Sequence, residues 1–361
     1  MERITPDRSP DKQTVGIFTG GGIAPGLNAV IYGAINVLAE HGHRVIGIAE
    51  GWAGMLEQKP IVEFQSFTRD RLQSLLRKPG TILGSSRTKI TPVQYDQVRK
   101  TADGYGLDSV IAIGGDDTLG QAAELHKHAV LNMIGVPKTI DNDVTDTDKT
   151  FGFETAYNEA AHHIIRMRTD AKAMKRVAGV EIMGRDAGWI TLYGGYFGGA
   201  DITLIPEFPI PIERIAEQVR HIYSEQQYVV IAIAEGYIKN AGEADAFGHP
   251  HKEDAARTLL QIIKKETGLP TEVQVSGYSV RNGPPLASDG IFAAELGAMA
   301  GLLAHQKKYG HMVSLRGNEV TAVPLENVHG GRRVTADHYD PSTMRKWTLP
   351  PNIMRERPAI Q

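Results

Sequence analysis

The sequence predicts an α/β protein built as two doubly wound lobes. Three observations carry that reading. The chain has 361 residues, more than the roughly 250–300 at which a single hydrophobic core stops growing. Short apolar runs ending in glycine alternate with helical stretches, the pattern of parallel strands joined by helical crossovers. The alternation then begins again near residue 153.

In order along the chain, "TVGIFT" (14–19) reads as a buried strand and Leu27 to Glu40, with few breakers, as a helix, with "GGGIAPG" between them. "RVIGIAEG" (44–51), "DSVIAIGG" (108–115) and "LNMIGVP" (131–137) supply further strands. "FETAYNEAAHHIIRMR" reads as a long helix, with His162 and His163 as ordinary helix residues, one packed and one exposed. Strand patterns follow in "RVAGVEIMG", "DITLIPEFP" and "YVVIAIAEG". A helix is expected over 252–265, "TEVQVSGYSVRNG" leads back toward the first lobe, and Ile291 to Leu303 reads as a helix of small residues. The tail after Leu325, with "HGGRR" and "LPPNIMRERP", is polar and proline-rich and reads as irregular surface structure.

Composition excludes several classes. A net charge of −3 gives no basic stripe for nucleic acid. With no cysteine, disulfides, thiolate zinc sites and cysteine nucleophiles are ruled out, and a reducing, cytoplasmic setting fits. The polar start "MERITPDRSPDKQ" has no signal-like apolar core, and "YVVIAIA" is far too short to span a bilayer. The expectation is a soluble protein with no membrane partner.

Three motifs fall at strand ends, where chemistry gathers in such sheets. "GGGIAPG", between a strand and a helix, is a candidate anion cradle, because glycines admit close backbone approach and a helix N-terminus favours negative charge. Read alone, it is equally a tight strand-to-helix turn. "IGGDDT" (113–118) ends a strand in two carboxylates, one of which could hold a magnesium ion directly or through water; the alternative is helix capping by Asp117 or Thr118. "KTIDND" (138–143) sits at the next strand end. A base, a lysine and an acidic metal site together make a phosphoryl-transfer constellation.

The segments "TGGGIAPGLNAVI", "TILGSSR", "IGGDDT", "PKTIDND", "FGFETA", "MGRDAGWI", "IAEG" and "GYSVRNG" occur in the order that resembles the 6-phosphofructokinase family, to about residue 290. The resemblance implies two α/β lobes with the active site in the cleft between them. The donor lobe would span 13–152 plus about 280–330 and the sugar lobe about 153–279, leaving about 331–361 as an irregular tail. It also implies a homodimer or homotetramer with shared sites. By the same resemblance, Asp141 is the base for the sugar C1 hydroxyl, with Asp143 beside it and Thr139 near the transferred group. Asp116 is the magnesium carboxylate, and Gly21, Gly22 and Arg87 meet the donor phosphates. Met183, Gly184, Arg185 and Glu235 bind the sugar, Arg281 grips its phosphate, and Arg176 comes from the adjacent subunit.

Asp117 and Lys138 stand where ATP-using members usually carry glycines, and resemble the residues of members that use diphosphate. Asp117 would meet a third phosphate with like charge, whereas Lys138 would compensate the compact donor. Diphosphate is therefore the expected donor, fructose 6-phosphate the expected acceptor, and the transfer reversible. Tyr32, taken as following the first helix, replaces an effector-binding arginine of allosteric members.

Several residues depart from the pattern: Ile23 for aspartate, Tyr278 for histidine, Asp186 inside "MGRxAG", and Glu272 for a second arginine from the adjacent subunit. Glu272 would repel a dianion. Either the match to the family slips around residue 272, or another basic residue such as Lys264 or Lys265 substitutes, or the acceptor differs at C6, as in 6-deoxy-6-sulfofructose or a neutral sugar. A non-catalytic sugar-phosphate sensor or assembly subunit is the reading from another class. "HPH" (249–251) reads as surface loop rather than a metal site, and "HGGRR" (329–333) as a solvated turn rather than a phosphate-binding segment.

Overall fold

The computed structural model describes residues 12–238 and 255–348. "HPH", positions 252–254 of the expected helix, the polar start through residue 11 and the tail from 349 lie outside the described residues. Backbone contacts divide the chain into two units. The first comprises Met1–Thr139, Val144–Gly152 and Asn282–Gly330, the second Ile140–Asp143, Phe153–Arg281 and Gly331–Gln361.

The first unit begins with β1 (Thr14–Thr19), α1 (Leu27–Glu40), β2 (Arg44–Ile48), α2 (Trp52–Glu57), β3 (Ile61–Glu63), α3 (Arg69–Ser74), α4 (Tyr95–Tyr105), β4 (Ser109–Gly114), α5 (Asp116–Lys127) and β5 (Met133–Pro137). The second follows with α6 (Phe153–Met174), β6 (Val177–Ile182), α7 (Trp189–Gly198), β7 (Ile202–Leu204), α8 (Ile212–Gln226), β8 (Val229–Ala234), α9 (Ala255–Thr267) and β9 (Thr271–Val275). The chain returns to the first unit as α10 (Ala287–His305) and the hairpin β10 (His311–Arg316) and β11 (Glu319–Pro324). It ends its described course in the second unit with β12 (Tyr339–Asp340) and β13 (Arg345–Lys346).

The first sheet runs β11-β10-β5-β4-β1-β2-β3, parallel through its middle and antiparallel at the β3 and β11 edges. Every residue of β1, β4 and β5 is buried, which is why these strands read as continuous apolar runs rather than alternating ones. From β1 the chain winds out to β2 and β3 and then resumes on the other side at β4. The carboxyl ends of β1 and β4 thus form a topological switch point, where open α/β sheets bind ligands.

Small residues let α10 lie directly on α1. A Cβ on Gly297 would stand 2.0 Å from the Val30 carbonyl oxygen, and one on Gly33 2.0 Å from that of Ala294. By length and composition α10 could cross a membrane, but Phe292, Leu296, Ala300 and Ala304 are buried here, so it serves as a core helix. Tyr32 lies within α1, not after it.

The second sheet is β7-β8-β6-β9, all parallel. Its core gathers Val177, Ile202, Ile231, Leu259 and Ile263. Within "TEVQVSGYSVRNG", "TEVQV" forms β9 of this sheet before the chain passes to the first unit at Asn282. The tail expected to be irregular surface structure packs inward over its described part. Tyr339 is fully buried with its hydroxyl donating to Thr203 O (2.8 Å), and Met344 joins the core. The apolar bodies of these two residues, spaced among polar neighbours, override the polar composition that suggested a loop.

Candidate functional site

At the end of β1, Gly20 N–H donates to Ile113 O (2.9 Å) on β4 and Gly21 N–H to Ser86 O (2.8 Å). Ser85 Oγ donates back to Gly21 O (2.6 Å). These bonds lay "TILGSSR" beside the glycine loop and bring exposed Arg87 to the same edge. Lys138 N–H donates to Gly114 O (2.9 Å), so the residue after β5 sits at the end of β4. Its side chain is only 7% exposed, and a Cβ on Gly21 would lie 3.3 Å from its ammonium nitrogen. Gly21 has φ +78°, a conformation glycine adopts without strain. A bare backbone turn facing a buried cation is the chemistry of an anion cradle.

Asp116 and Asp117 form the first turn of α5, whose N-cap is Gly115, with no side-chain cap. The capping alternative does not hold here. Both carboxylates are exposed and complement the positive end of the helix. Lys89 Nζ donates to Asp117 Oδ1 (3.2 Å). Gly330 runs close against Asp116, since a Cβ there would meet its Oδ2 at 2.5 Å. Lys89, Tyr95, Asp116, Asp117, Gln121 and His329 line a cavity of about 520 Å³. Among the described residues no cluster of three or more His, Cys, Asp or Glu could cage a metal. Magnesium does not require one, because it retains waters and binds through one or two carboxylates plus substrate phosphates. Asp116 fits that donor set.

Thr139 closes a segment of the first unit, and the second unit holds the remaining candidates, including Asp141 and Asp143. Past β6 come Met183, Gly184 and Arg185, and past β8 comes Glu235, whose N–H donates to Ile182 O (2.9 Å). Asp186 accepts a hydrogen bond from Arg185 Nε (2.6 Å). Burial alone would pull the Arg185 guanidinium down, but the bond and charge of Asp186, with the charges of Asp141 and Glu235, hold it above the ordinary arginine value. Arg185, Asp141 and Glu235 therefore form one electrostatic group, and the unusual Asp186 is its local counter-ion. Beyond β9, a short 3₁₀ turn (Gly277–Val280) leads to Arg281, whose guanidinium carbon lies 4.4 Å from the Tyr278 ring centre. Ser279 in this turn is held by His163, which also contacts Gln274.

Arg176 and Glu272 are not part of this group. They precede β6 and open β9, at the amino-terminal edge of the sheet, opposite Arg185 and Arg281. Arg176 donates from Nη1 to Glu272 (3.0 Å) and from Nε to Asp170 (3.0 Å). Lys264 and Lys265 lie in the last turn of α9.

Sequence reading passed over Lys89 and Glu207, and gave Gly330, Gly331, Arg332 and Trp189 no role of their own. "HGGRR" is largely solvated, with His329, Gly331 and Arg333 exposed, yet its backbone is fastened: Gly331 and Arg332 both donate their backbone N–H to Asp143 O (2.9 Å each). The paired glycines were the available signal.

Comparison with known proteins bears on the family and the fold. The family model described as Phosphofructokinase matches residues 14–303. The chain is 40% identical over 331 residues, 88% of itself and 94% of its relative, to the pyrophosphate–fructose 6-phosphate 1-phosphotransferase of Dictyoglomus thermophilum. It is 38% identical over 338 residues, 90% of itself and 97% of the relative, to the ATP-dependent 6-phosphofructokinase of Mycobacterium leprae. The crystal structure of a pyrophosphate-dependent phosphofructokinase from Marinobacter aquaeolei matches its fold with TM-score 0.83 at 23% identity, covering 93% of this chain and 89% of that one. The chain, an α/β protein with these strand-end motifs, belongs to the phosphofructokinase family. It is an enzyme of the phosphotransferase type.

Proposed function

We propose that the enzyme transfers a phosphoryl group reversibly from diphosphate to the C1 hydroxyl of fructose 6-phosphate, giving fructose 1,6-bisphosphate and orthophosphate. The observation that carries the donor is Lys138, a buried ammonium beside the Gly21 backbone, which suits a compact, highly charged donor held by cation and backbone. Gly22 and Arg87 flank that cradle. Asp117 supports the same reading, because a phosphate chain running on past Asp116 meets its like charge. The names of the Dictyoglomus relative and of a second, 39% identical over 323 residues, from Amycolatopsis methanolica point the same way.

Asp141 takes the proton of the C1 hydroxyl as that oxygen attacks the terminal phosphorus. The bridging oxygen of diphosphate leaves with orthophosphate, and Thr139 and Asp143 flank the transfer. Arg185 stabilises the negative charge that develops, while Met183, Gly184 and Glu235 orient the sugar. Magnesium, when bound, neutralises donor phosphate charge, and Asp116 would hold it. Arg281, with Tyr278 against it, grips the C6 phosphate. Arg176 lies on the wrong edge of its own sheet to join that grip, which supports an active site completed by a second copy in a homodimer or homotetramer.

One observation favours a second acceptor. Arg176 is already held by Asp170 and Glu272, so the group it presents carries more negative than positive charge. That suits a C6 sulfonate or hydroxyl better than a phosphate dianion.

A grid of diphosphate or ATP against fructose 6-phosphate, 6-deoxy-6-sulfofructose or fructose, scored as kcat/KM with magnesium, tests the proposal. Diphosphate with fructose 6-phosphate should exceed every other pair by at least about tenfold, roughly 1.4 kcal/mol of transition-state preference. A larger value with ATP sinks the donor reading, and a larger value with the sulfonate or free sugar moves the acceptor to the second reading.

A further inference from the structure

The "HGGRR" segment has a place in the fold that phosphate binding and sugar binding both leave unexplained. Gly331 and Arg332 point consecutive N–H groups at one oxygen, the carbonyl of Asp143. Gly331 makes this convergence possible with φ +117°, a backbone conformation that disfavours any side chain. The Arg332 guanidinium also reaches Asn142 O (3.4 Å). Asn142 is itself buried and left-handed, with φ +53°. A non-glycine residue stays in that region only when its surroundings hold it there. The residue immediately before it is Asp141.

Arg332 is anchored in turn. Its guanidinium carbon sits 5.0 Å from the Trp189 ring centre, and the indole Nε1–H donates to Arg332 O (3.4 Å). Two residues on, Val334 N–H donates to Glu207 Oε1 (3.1 Å), and the same carboxylate oxygen accepts from Gly188 N–H (2.9 Å). Gly188 and Trp189 follow directly on the "MGRDA" segment that carries Arg185. One short stretch therefore fastens both the aspartate loop and the loop of the arginine charge-coupled to it.

We propose that Gly331–Val334 is a clasp that sets the Asp141 loop against the Arg185 loop, with Arg332 as a positioning residue for proton transfer to Asp141. The inference rests on Asp141 being the base. Arg332 need not touch either substrate. Its contribution is to hold the carboxylate in register with the attacking hydroxyl, where a displacement of about 1 Å can cost about a hundredfold in rate.

The test compares Arg332→Met, which keeps an apolar stem over Trp189 but removes the donor, with Arg332→Lys, which restores a cation and a donor. Asp141→Asn serves as the reference, and all are measured in the full chain with thermal unfolding as a check on folding. Arg332→Met should lower kcat about 10- to 100-fold, leave KM for both substrates within about threefold, and raise the solvent deuterium isotope effect on kcat as proton transfer becomes slower. Arg332→Lys should recover at least about a third of the lost rate. If Asp141→Asn is inactive while Arg332→Met keeps wild-type kcat and isotope effect, the clasp is overturned and the base assignment stands. If Asp141→Asn turns over normally, the base assignment falls and the clasp with it. A Met variant slowed only in proportion to its loss of folded protein, with an unchanged isotope effect, also overturns the proposal.

Discussion

At the scale of single residues, the two halves of the proposed donor edge are separable by substitution. Lys138 is buried beside a glycine turn, so Lys138→Met keeps its bulk and removes its charge. The expected result is a rise in KM for the donor of at least about tenfold with little change in KM for the acceptor, since a close charge pair in a poorly solvated site is worth well over 1 kcal/mol. Equal effects on both substrates would remove Lys138 from the donor site. Gly330 tests the proposed metal side. Its missing Cβ leaves room for the Asp116 carboxylate, which would otherwise be met at 2.5 Å. Gly330→Ala should therefore displace Asp116 and raise the magnesium concentration for half-maximal rate by about three- to tenfold, as a disturbed ligand does. An unchanged magnesium titration with normal folding would argue against Asp116 as the metal carboxylate. These contacts illustrate what the sequence could not convey. "IGGDDT" announced two carboxylates, but not that Asp117 would pair with Lys89 or that Gly330, more than two hundred residues away, would press on Asp116.

At the scale of elements, legibility follows how much of the signal is local. "TVGIFT" and Leu27–Glu40 emerge with the expected bounds, because a fully buried parallel strand is a continuous apolar run and the following helix lacks internal breakers. The small-residue helix was legible as composition, and the structure supplies the reason. Gly33 and Gly297 each abut a backbone carbonyl of the opposite helix, so the two axes can approach only because both side chains are missing. Gly297→Val should force α10 away from α1 and destabilise the protein by about 1–3 kcal/mol or more. The corresponding fall in Tm is several degrees, read by thermal unfolding. A variant that melts with wild type would mean that the helices are not in this register. The β10–β11 hairpin was not legible because its strands mix polar with apolar residues and are only partly buried, and the inward-packed tail was not because its strands are two residues long and Tyr339 and Met344 are isolated apolar residues with no periodicity around them. The opposite-edge position of Arg176 and Glu272 is likewise a property of parallel pairing between β6 and β9, not of either local sequence.

At the scale of the whole molecule, three histidines in different places share one sign. Burial lowers His43, and the charges of His305 and His41, with Lys307, lower it further against the opposing pull of Asp108. Its Nδ1 accepts from Gln13 N–H (3.0 Å) and its Nε2 faces His305 Nδ1 at 3.0 Å, so a second proton on His43 breaks a backbone hydrogen bond. His163 is lowered by burial and Arg166, against Glu159, and His338 by burial, Arg332 and Lys346, against Asp337. In each case the folded state binds protons less readily than the unfolded chain, whose histidines titrate near pH 6.5. The unfolded state thus carries more bound protons just below that pH, and stability rises with pH there. The stabilisation is fully present above about pH 6.5 and is lost as pH falls toward the lowered folded values, before the carboxylates begin to protonate. Tm should fall between pH 7.5 and pH 5.5, and His43→Asn, whatever its effect at pH 7.5, should flatten the decline. A Tm independent of pH across that interval, or an undiminished slope in the variant, would show that these histidines do not couple folding to protons. The prediction is independent of substrate: His43 sits at the start of β2, at the opposite end of the strands from the glycine and aspartate loops, so acid should weaken the scaffold of the first unit whichever donor its cradle accepts.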